Sequence, residues 1–394
     1  MPVGECRTVF SQLMDWVPKR KFDTCVARYQ GNHWVKKFSC WEQYLTMAFA
    51  QLTYRESLRD IETCLRALQP KLYHSGIRSR ISRSTLADAN EKRDCRIFGD
   101  FAQVLIAKAR RLYAADEFAV QLEQTAYVLD ATTIDLCLSL FPWAQFRKHK
   151  SAIKLHTLFD LRGNIPTLVI VTSGRVFDGK MLKHIAIEAG SFYIMDRAYR
   201  DLVQLHRIHQ QQAFFIIRAI RTQDLRRLYS HPVDKTTGLQ CDQTVVFNGP
   251  LSGVKFPDKL RRIRYLDPLT QKRLIFLTNN FNVPALTIAD LYRCRWQVEL
   301  FFKWIKQHLR IKAFYGTSEN AVKTQVWIAI SIYVLVAIIK KELRLEHSLY
   351  TILQILSVTL FEKTPILQAF SDPHYISEYD ILEDAQKQRL LPGF

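Results

Sequence analysis

The sequence predicts a mixed α/β protein: a helical N-terminal segment, then a mixed sheet covered by helices and interrupted by a β-rich insertion. Three observations carry this. Capping signals and helical apolar spacing fill about the first 120 residues. From about residue 125 the pattern changes to period two and short apolar runs. Helical stretches then alternate with those runs, the order of a sheet whose faces are covered by helices. The expected boundaries are 1–120 (helical), 121–219 (first part of the mixed-sheet core), 220–285 (β-rich insertion), 286–345 (second part of the core) and 346–394 (C-terminal helix and tail).

In the first segment, Ser39 and Glu42 form a capping-box pattern before WEQYLTMAFAQL, and Thr53 and Glu56 repeat it before SLRDIETCLRAL. Lys71, Arg78, Arg80 and Arg83 follow with no acid between them, and Ser84 and Thr85 are placed to cap TLADANEKRD. Two readings stay open here: a helix-turn-helix-like DNA reader using Arg78, Arg80 and Arg83, or a helical bundle with a solvated basic loop. In the sheet region, TAYVLDAT reads as a strand ending in Asp130, SAIKLHTLFDL alternates, and IPTLVIVTS reads as a buried strand. GKMLKHIAIEAG reads as a helix and SFYIMDRAY as a strand ending at Asp196; DLVQLHRIHQQ (helix) and AFFIIRA (strand) close the series. DQTVVFN, RRIRYLD and KRLIFLTN read as antiparallel strands. Their cations Lys255, Lys259, Arg261, Arg262, Arg264, Lys272 and Arg273 either track phosphates or form a solvated face.

The run YRCRWQVELFFKWIK reads as one amphipathic helix, capped by Thr287 with Asp290 in the capping-box position. Tyr292, Arg295, Glu299 and Lys306 share roughly 60° of its circumference. Leu291, Cys294, Val298, Phe301, Ile305 and Leu309 collect on another face. Trp304 lies beside the polar stripe and is expected to pack in the core. The apolar run Val326–Ile339 spans 14 residues, fewer than the ~20 of a membrane span, and reads as a buried core helix. A last helix places Leu349, Ile352, Leu353, Leu356 and Leu360 on one side.

Composition narrows the function. A net charge of +19 and a pI near 9.6 suit a polyanionic partner, with nucleic acid first. No block of like charge adjoins an exposed apolar helix, which disfavours a membrane surface. The eight cysteines form no C-x-x-C pair and are expected to be reduced and buried, as in a cytosolic protein. His206 and His209 form a lone H-x-x-H, not read as a metal site for want of an acidic or cysteine partner. The N-terminus carries no signal pattern.

Asp130 and Asp196 each end an apolar strand. Aspartate is poor strand material, and burying its charge is costly without a cation. Either each starts a turn, or neighbouring strands present both carboxylates to a divalent metal. Glu299 from the helix makes a third carboxylate. Three carboxylates plus substrate phosphate suit two Mg²⁺ ions, with Mn²⁺ able to substitute. One ion would activate a water or 3′-hydroxyl and the other would stabilise the leaving oxygen. Asp135, Asp160 and Asp178 are read as turn or strand-edge residues. Arg147, Lys148, His149 and Lys150 are expected in a loop near the first aspartate, contacting DNA backbone or simply solvated.

YVLDAT, DRAY and the series Tyr292–Arg295–Glu299–Lys306 make the chain resemble DDE transposases of the insertion-sequence-four family, from roughly residue 120 to 345. The family glycine after Asp-Arg is Ala198 here. The resemblance implies an RNase H-like mixed-sheet catalytic core with Asp130, Asp196 and Glu299 as metal ligands. It implies phosphate contacts from Tyr292, Arg295 and Lys306, assisted by Arg197. It further implies a bacterial, cytoplasmic cut-and-paste enzyme that binds double-stranded DNA at terminal inverted repeats, works as a homodimer, passes through a hairpin and joins the element to target DNA. The alternatives are a stand-alone metal-dependent nuclease with the same core and a domesticated DNA-binding protein.

Overall fold

The computed structural model describes residues 7–116, 120–219, 223–268, 270–307 and 314–371. It divides into two compact units. Of the described residues, one takes 7–115, Ile134–Ile153 and 301–371; the other takes those between Ala115 and Ile134 and Lys154–Leu300.

The N-terminal part is helical: α1 (Val9–Met14), α2 (Lys19–Arg28), α3 (Cys40–Leu52), α4 (Leu58–Ala67), α5 (Gln69–Leu72), α6 (Arg83–Lys92) and α7 (Arg96–Tyr113). The capping box of α3 forms as expected between Ser39 and Glu42. The other two caps move. Ser57 caps α4, because Thr53 closes α3 and its hydroxyl donates to the Phe49 carbonyl at 2.7 Å. Ser82 caps α6, accepting from Thr85 N at 3.2 Å, which draws Arg83 and Ser84 into the first turn.

The sheet comprises β1 (Ala126–Leu136), β2 (Gln145–Arg147), β3 (Lys150–Asp160), β4 (Ile165–Ser173), β5 (Phe192–Met195), β6 (Phe214–Arg218), β7 (Leu225–His231), β8 (Leu239–Phe247), β9 (Leu260–Leu266) and β10 (Arg273–Thr278). With them run α8 (Leu202–Gln210), α9 (Pro250–Lys255), α10 (Ala285–Arg293) and α11 (Trp296–Gln307). The strand order is β2-β3-β1-β5-β6-β10-β9-β8-β7, with β4 also on β3. β5 lies parallel between β1 and β6, whereas β10, β9, β8 and β7 add on antiparallel. The strands expected as an insertion therefore continue the central sheet from β6. β7, which sequence reading missed, is the far strand; its LRRLYSH is exposed over most of its length and carries a register shift between Arg227 and Tyr229.

Three local expectations fail. β1 runs six residues past Asp130 to Leu136. β4 is only partly buried. GKMLKHIAIEAG makes 3₁₀ turns at Asp178–His184 and then extends. Side chains take up the backbone groups that a longer helix would have used: Arg207 donates to the carbonyls of Leu182 at 2.6 Å and Ile185 at 3.2 Å, and Glu188 N donates to the Tyr193 hydroxyl at 2.8 Å. One sheet face packs Tyr127, Leu129, Tyr193, Met195, Phe215 and Ile217 into a core with Leu205 and Ile208 of α8 and with Phe256. α10 lies over β5 and β8.

The chain then forms α12 (Glu319–Glu342), α13 (Leu349–Thr359) and α14 (Ile366–Ala369). α12 packs against α3, α6, α7 and α13. Among the described residues it is the one helix long and apolar enough to cross a membrane, yet 89% of its apolar window is buried. Two of its buried polar side chains find partners there: Gln325 Oε1 accepts from Tyr315 N at 2.9 Å, and Ser331 donates to the Ile328 carbonyl at 2.7 Å. It is the core helix expected from the sequence. Ile352, Leu353 and Leu356 of α13 are fully buried, as their spacing predicts. Leu309 and the tail after Ser371 lie outside the described residues.

Candidate active site

Leu129 and Met195 are the last registered partners of the parallel β1–β5 ladder. The next residue on each strand is an aspartate, so Asp130 and Asp196 leave the ladder at the same level. Asp130 Oδ1 accepts from Ala131 N at 2.8 Å. Asp196 starts a 3₁₀ turn at Arg197–Tyr199 and accepts from Arg197 N at 2.5 Å. Asp196 thus serves as a turn former and also faces its strand neighbour.

The single helix expected to carry Tyr292, Arg295, Glu299 and Lys306 is two. α10 begins after Pro284, without a side-chain cap; Thr287 lies inside it, and Asp290 pairs with Arg293 at 3.2 Å. At the joint the hydrogen bonds tighten to i→i+3: Arg295 N to Tyr292 O at 3.1 Å, Gln297 N to Cys294 O at 3.0 Å, and Val298 N to Arg295 O at 3.3 Å. Arg295 therefore issues from a joint between helices.

From there its guanidinium forks. Nη1 donates to Asp130 Oδ2 at 2.6 Å and Nη2 to Glu299 Oε1 at 2.5 Å. Arg295 and Asp130 are mostly buried, with side chains 21% and 17% exposed. Burial pushes the Asp130 carboxyl up to about 6; Arg295 and the Ala131 N–H oppose this, while Glu299 and Asp196 add to it. Burial works against the Arg295 charge, yet Asp130 and then Glu299 keep its pKa above the ordinary value. Among the described residues, no three His, Cys, Asp or Glu side chains stand close enough to hold a metal as they are placed. The cation between two of these carboxylates is Arg295.

The other site residues divide. Tyr292 is buried, its ring 4.8 Å from that of Phe276, and burial raises its phenol pKa. Lys306 is half-buried in the last turn of α11, and Arg197 is exposed. Trp304 packs edge-on against Tyr333 at 4.7 Å, as expected. Tyr199 had no assigned role. It is 1% exposed, and its hydroxyl has no hydrogen-bond partner among the described residues. Burial, then the charges of Asp130, Asp178 and Asp196, raise its pKa. Its position three residues after Asp196 was the available signal. Asp178 starts the 3₁₀ turns after β4, accepts from Lys154 Nζ at 3.0 Å and lies 3.6 Å from His156 Nδ1. Burial lowers the His156 pKa to about 4.

His206 and His209 do have an acidic neighbour, since Asp258 Oδ2 lies 3.0 and 3.7 Å from their Nε2 atoms. Asn279 is oriented by accepting from Phe215 N and donating to the Ala213 carbonyl, so its Nδ2 also donates to His209 Nδ1 at 3.1 Å. That bond leaves the ring proton on Nε2, the atom a metal would need free.

Arg78, Arg80 and Arg83 are exposed. The loop of Arg78 and Arg80, which leads into Arg83 at the start of α6, is anchored by buried Glu42, whose Oε1 accepts from Arg78 N at 3.3 Å, Ser79 N at 3.1 Å and the Ser79 hydroxyl at 2.8 Å. Arg147, Lys148, His149 and Lys150 are exposed around a β-hairpin: Lys148 and His149 lie in its turn, and Arg147 stands opposite Lys150 at the ends of β2 and β3. In the sheet extension Arg261 is excluded as a phosphate contact: it is buried and bidentate on Asp242, at 2.9 and 2.7 Å. Among the described cysteines none is in a disulfide; Cys137 is exposed, contrary to expectation, and Cys25, Cys40 and Cys294 are buried.

Comparison with known proteins bears on this arrangement. Residues 121–335 match the family model described as Transposase DDE domain, and residues 5–78 match a domain of unknown function, DUF4372. A protein of Sinorhizobium fredii named as a transposase is 31% identical over 289 residues, covering 71% of this chain and 78% of the relative. One from Geobacillus stearothermophilus, named for insertion sequence element IS5377, is 31% identical over 216 residues, 53% of this chain and 55% of the relative. One from Synechocystis, named for insertion sequence element IS4SA, is 23% identical over 332 residues, 82% of this chain and 88% of the relative. Of solved structures, a piggyBac transposase synaptic complex with hairpin DNA has a TM-score of 0.43 and 10% identity over 98% of this chain and 84% of its own, a likeness too distant to build on. The family match spans both aspartates, the glutamate helix and the mixed sheet of an RNase H-like core: the chain belongs to the DDE transposase family.

Proposed function

We propose that this protein is the cut-and-paste transposase of a bacterial insertion sequence. It would bind terminal inverted repeats as a homodimer in the cytoplasm, cleave the element ends and transfer their 3′ ends to target DNA. The observation that carries the reading is the convergence of Asp130 and Glu299 on one cation, with Asp196 beside them in strand register.

Family membership brings divalent-metal chemistry with it. The donor set fits such ions: three hard carboxylates, one of them desolvated and raised by its like-charged neighbours. Asp130, Asp196 and Glu299 would hold two Mg²⁺, or Mn²⁺ in their place. Bound there, the ions would supply charge neutralisation at the attacking and leaving oxygens. The remaining residues hold the DNA. Arg295 and Arg197 offer planar forks to phosphate oxygens, and Lys306 offers a point charge. Tyr292, packed on Phe276, would bring its phenol to the same phosphates. Arg78, Arg80, Arg83, Arg147, Lys148 and Lys150 would track backbone outside the cleavage site. A hairpin on the element end is the proposed intermediate between first-strand nicking and release.

The test uses labelled DNA carrying the inverted repeats that flank the coding sequence. Mg²⁺-dependent cleavage at those ends is expected, with loss of activity in Asp130→Ala, Asp196→Ala and Glu299→Ala. Full cutting by any of these variants would overturn the assignment of that carboxylate. Linear products without a hairpin would remove that step alone.

A further inference from the structure

We propose that Arg295 is an exchangeable latch: its guanidinium holds Asp130 and Glu299 until the divalent cation arrives, then moves off both carboxylates onto the DNA phosphate. The proposal rests on the metal-site reading given above and adds an order of events to it.

Charge is the first argument. Asp130 and Glu299 both engage this guanidinium, and the charge of Asp196 also reaches Asp130, so one guanidinium offsets only part of the local negative charge. Two carboxylates on one guanidinium, Asp130 mostly buried and Glu299 partly so, would repel each other without a cation, so the metal-free site needs a resident positive charge. Arginine supplies it without any means of losing its proton. Displacement is therefore the only way to clear the site.

Geometry is the second. The fork engages Asp130 Oδ2 and Glu299 Oε1, one oxygen from each of two proposed ligands that lie 169 residues apart in sequence. A metal that takes these same two oxygens breaks both bonds. The side chain starts from the i→i+3 joint between α10 and α11, so a shift of that joint moves the guanidinium without unwinding either helix. Once released, the planar fork that matched two carboxylate oxygens matches two phosphate oxygens equally well.

The latch gives the protein a defined metal-free state. The carboxylates are kept near their working positions in the absence of metal, and Arg295 becomes available for DNA only when the cation has taken its place. The two uses of Arg295 are then successive.

The experiment is Mn²⁺ binding to the full chain without DNA, followed by the loss of the free-ion EPR signal. Arg295→Ala and the bulkier Arg295→Gln are each expected to tighten Mn²⁺ binding by on the order of tenfold to a hundredfold, the usual size of such coupling. Without metal both variants should melt below the wild type, and saturating Mn²⁺ should close the gap. Unchanged or weaker Mn²⁺ binding by both variants, alongside wild-type binding that Asp130→Asn abolishes, would overturn the latch and leave the metal site standing. Wild-type binding that Asp130→Asn does not alter would overturn both. Melting curves identify a variant that has failed to fold, and the other variant then decides.

Discussion

Leu129 and Met195 close the parallel pairing of β1 with β5, and the residue after each is an aspartate. Register thus brings together two carboxylates that are far apart in sequence. Because both follow the ladder, neither is needed to hold it. Asp130→Asn and Asp196→Asn are expected to keep the fold and lose cleavage by on the order of 10²–10³, the cost of removing one charge-stabilising group. Initial rates on a labelled element end, beside far-ultraviolet circular dichroism, check this. Loss of the fold in both variants would show the aspartates to be structural.

Asp130 has its carboxyl raised from 3.8 to about 6 by burial first. The folded state therefore binds this proton more tightly than the unfolded chain does. Metal-free stability is expected to be greatest below about pH 4 from this group and to decline as pH rises towards 6, by on the order of 1–3 kcal/mol. Urea titrations at several pH values should show that slope in the wild type and its disappearance in Asp130→Asn. Cleavage should move the opposite way, rising through the same interval as the carboxylate ionises.

The buried Arg261–Asp242 pair ties β9 to β8, and Arg261 also donates to the Val283 carbonyl at 2.6 Å. Asp242→Asn would strand a buried guanidinium, at a cost of about 3–5 kcal/mol. Replacing both partners, as in Arg261→Met with Asp242→Leu, should recover most of that loss. Chemical denaturation of the two variants separates the outcomes; a cost near zero for Asp242→Asn would mean that Arg261 finds water.

Glu42 joins the start of α3 to the loop that carries Arg78 and Arg80 and leads into Arg83 at the start of α6. Glu42→Ala should destabilise the protein by on the order of 2 kcal/mol, through lost hydrogen bonds to a charged acceptor, and should weaken DNA binding through a disordered loop. Reversing the charge of all three arginines should leave stability near wild type and lower the salt dependence of DNA binding by about two to three units of slope. Anisotropy titrations at several salt concentrations measure both; an unchanged slope would remove this loop from the interface.

How far the sequence was legible depended on how local each cause was. Asp130, Asp196 and Glu299 stood out because each breaks an apolar pattern or sits on a polar stripe. Ser39 and Glu42 were readable because a capping box closes within four residues. The joint at Arg295 was hidden: Arg295 turns towards Asp130, a partner from another strand, and helical spacing runs on through Cys294 without a glycine or proline to mark the break. β7 was missed because its two arginines and its bulge erase the period-two signal. The turns at Asp178–His184 displaced a helix because Arg207, later in the chain, takes up the Leu182 and Ile185 carbonyls, and Tyr193 takes up the Glu188 N–H beyond them.

The continuation of the sheet from β6 through β10, β9 and β8 to β7 has a consequence for aggregation. Without it β6, with its buried FFIIR run, would end the sheet and offer apolar backbone to any passing strand. The extension moves that open flank to LRRLYSH, where two arginines and a register shift between Arg227 and Tyr229 discourage a further partner. Whatever the added strands do for DNA, they also let a protein with a wide, strongly apolar sheet end it on a strand that other chains are discouraged from joining.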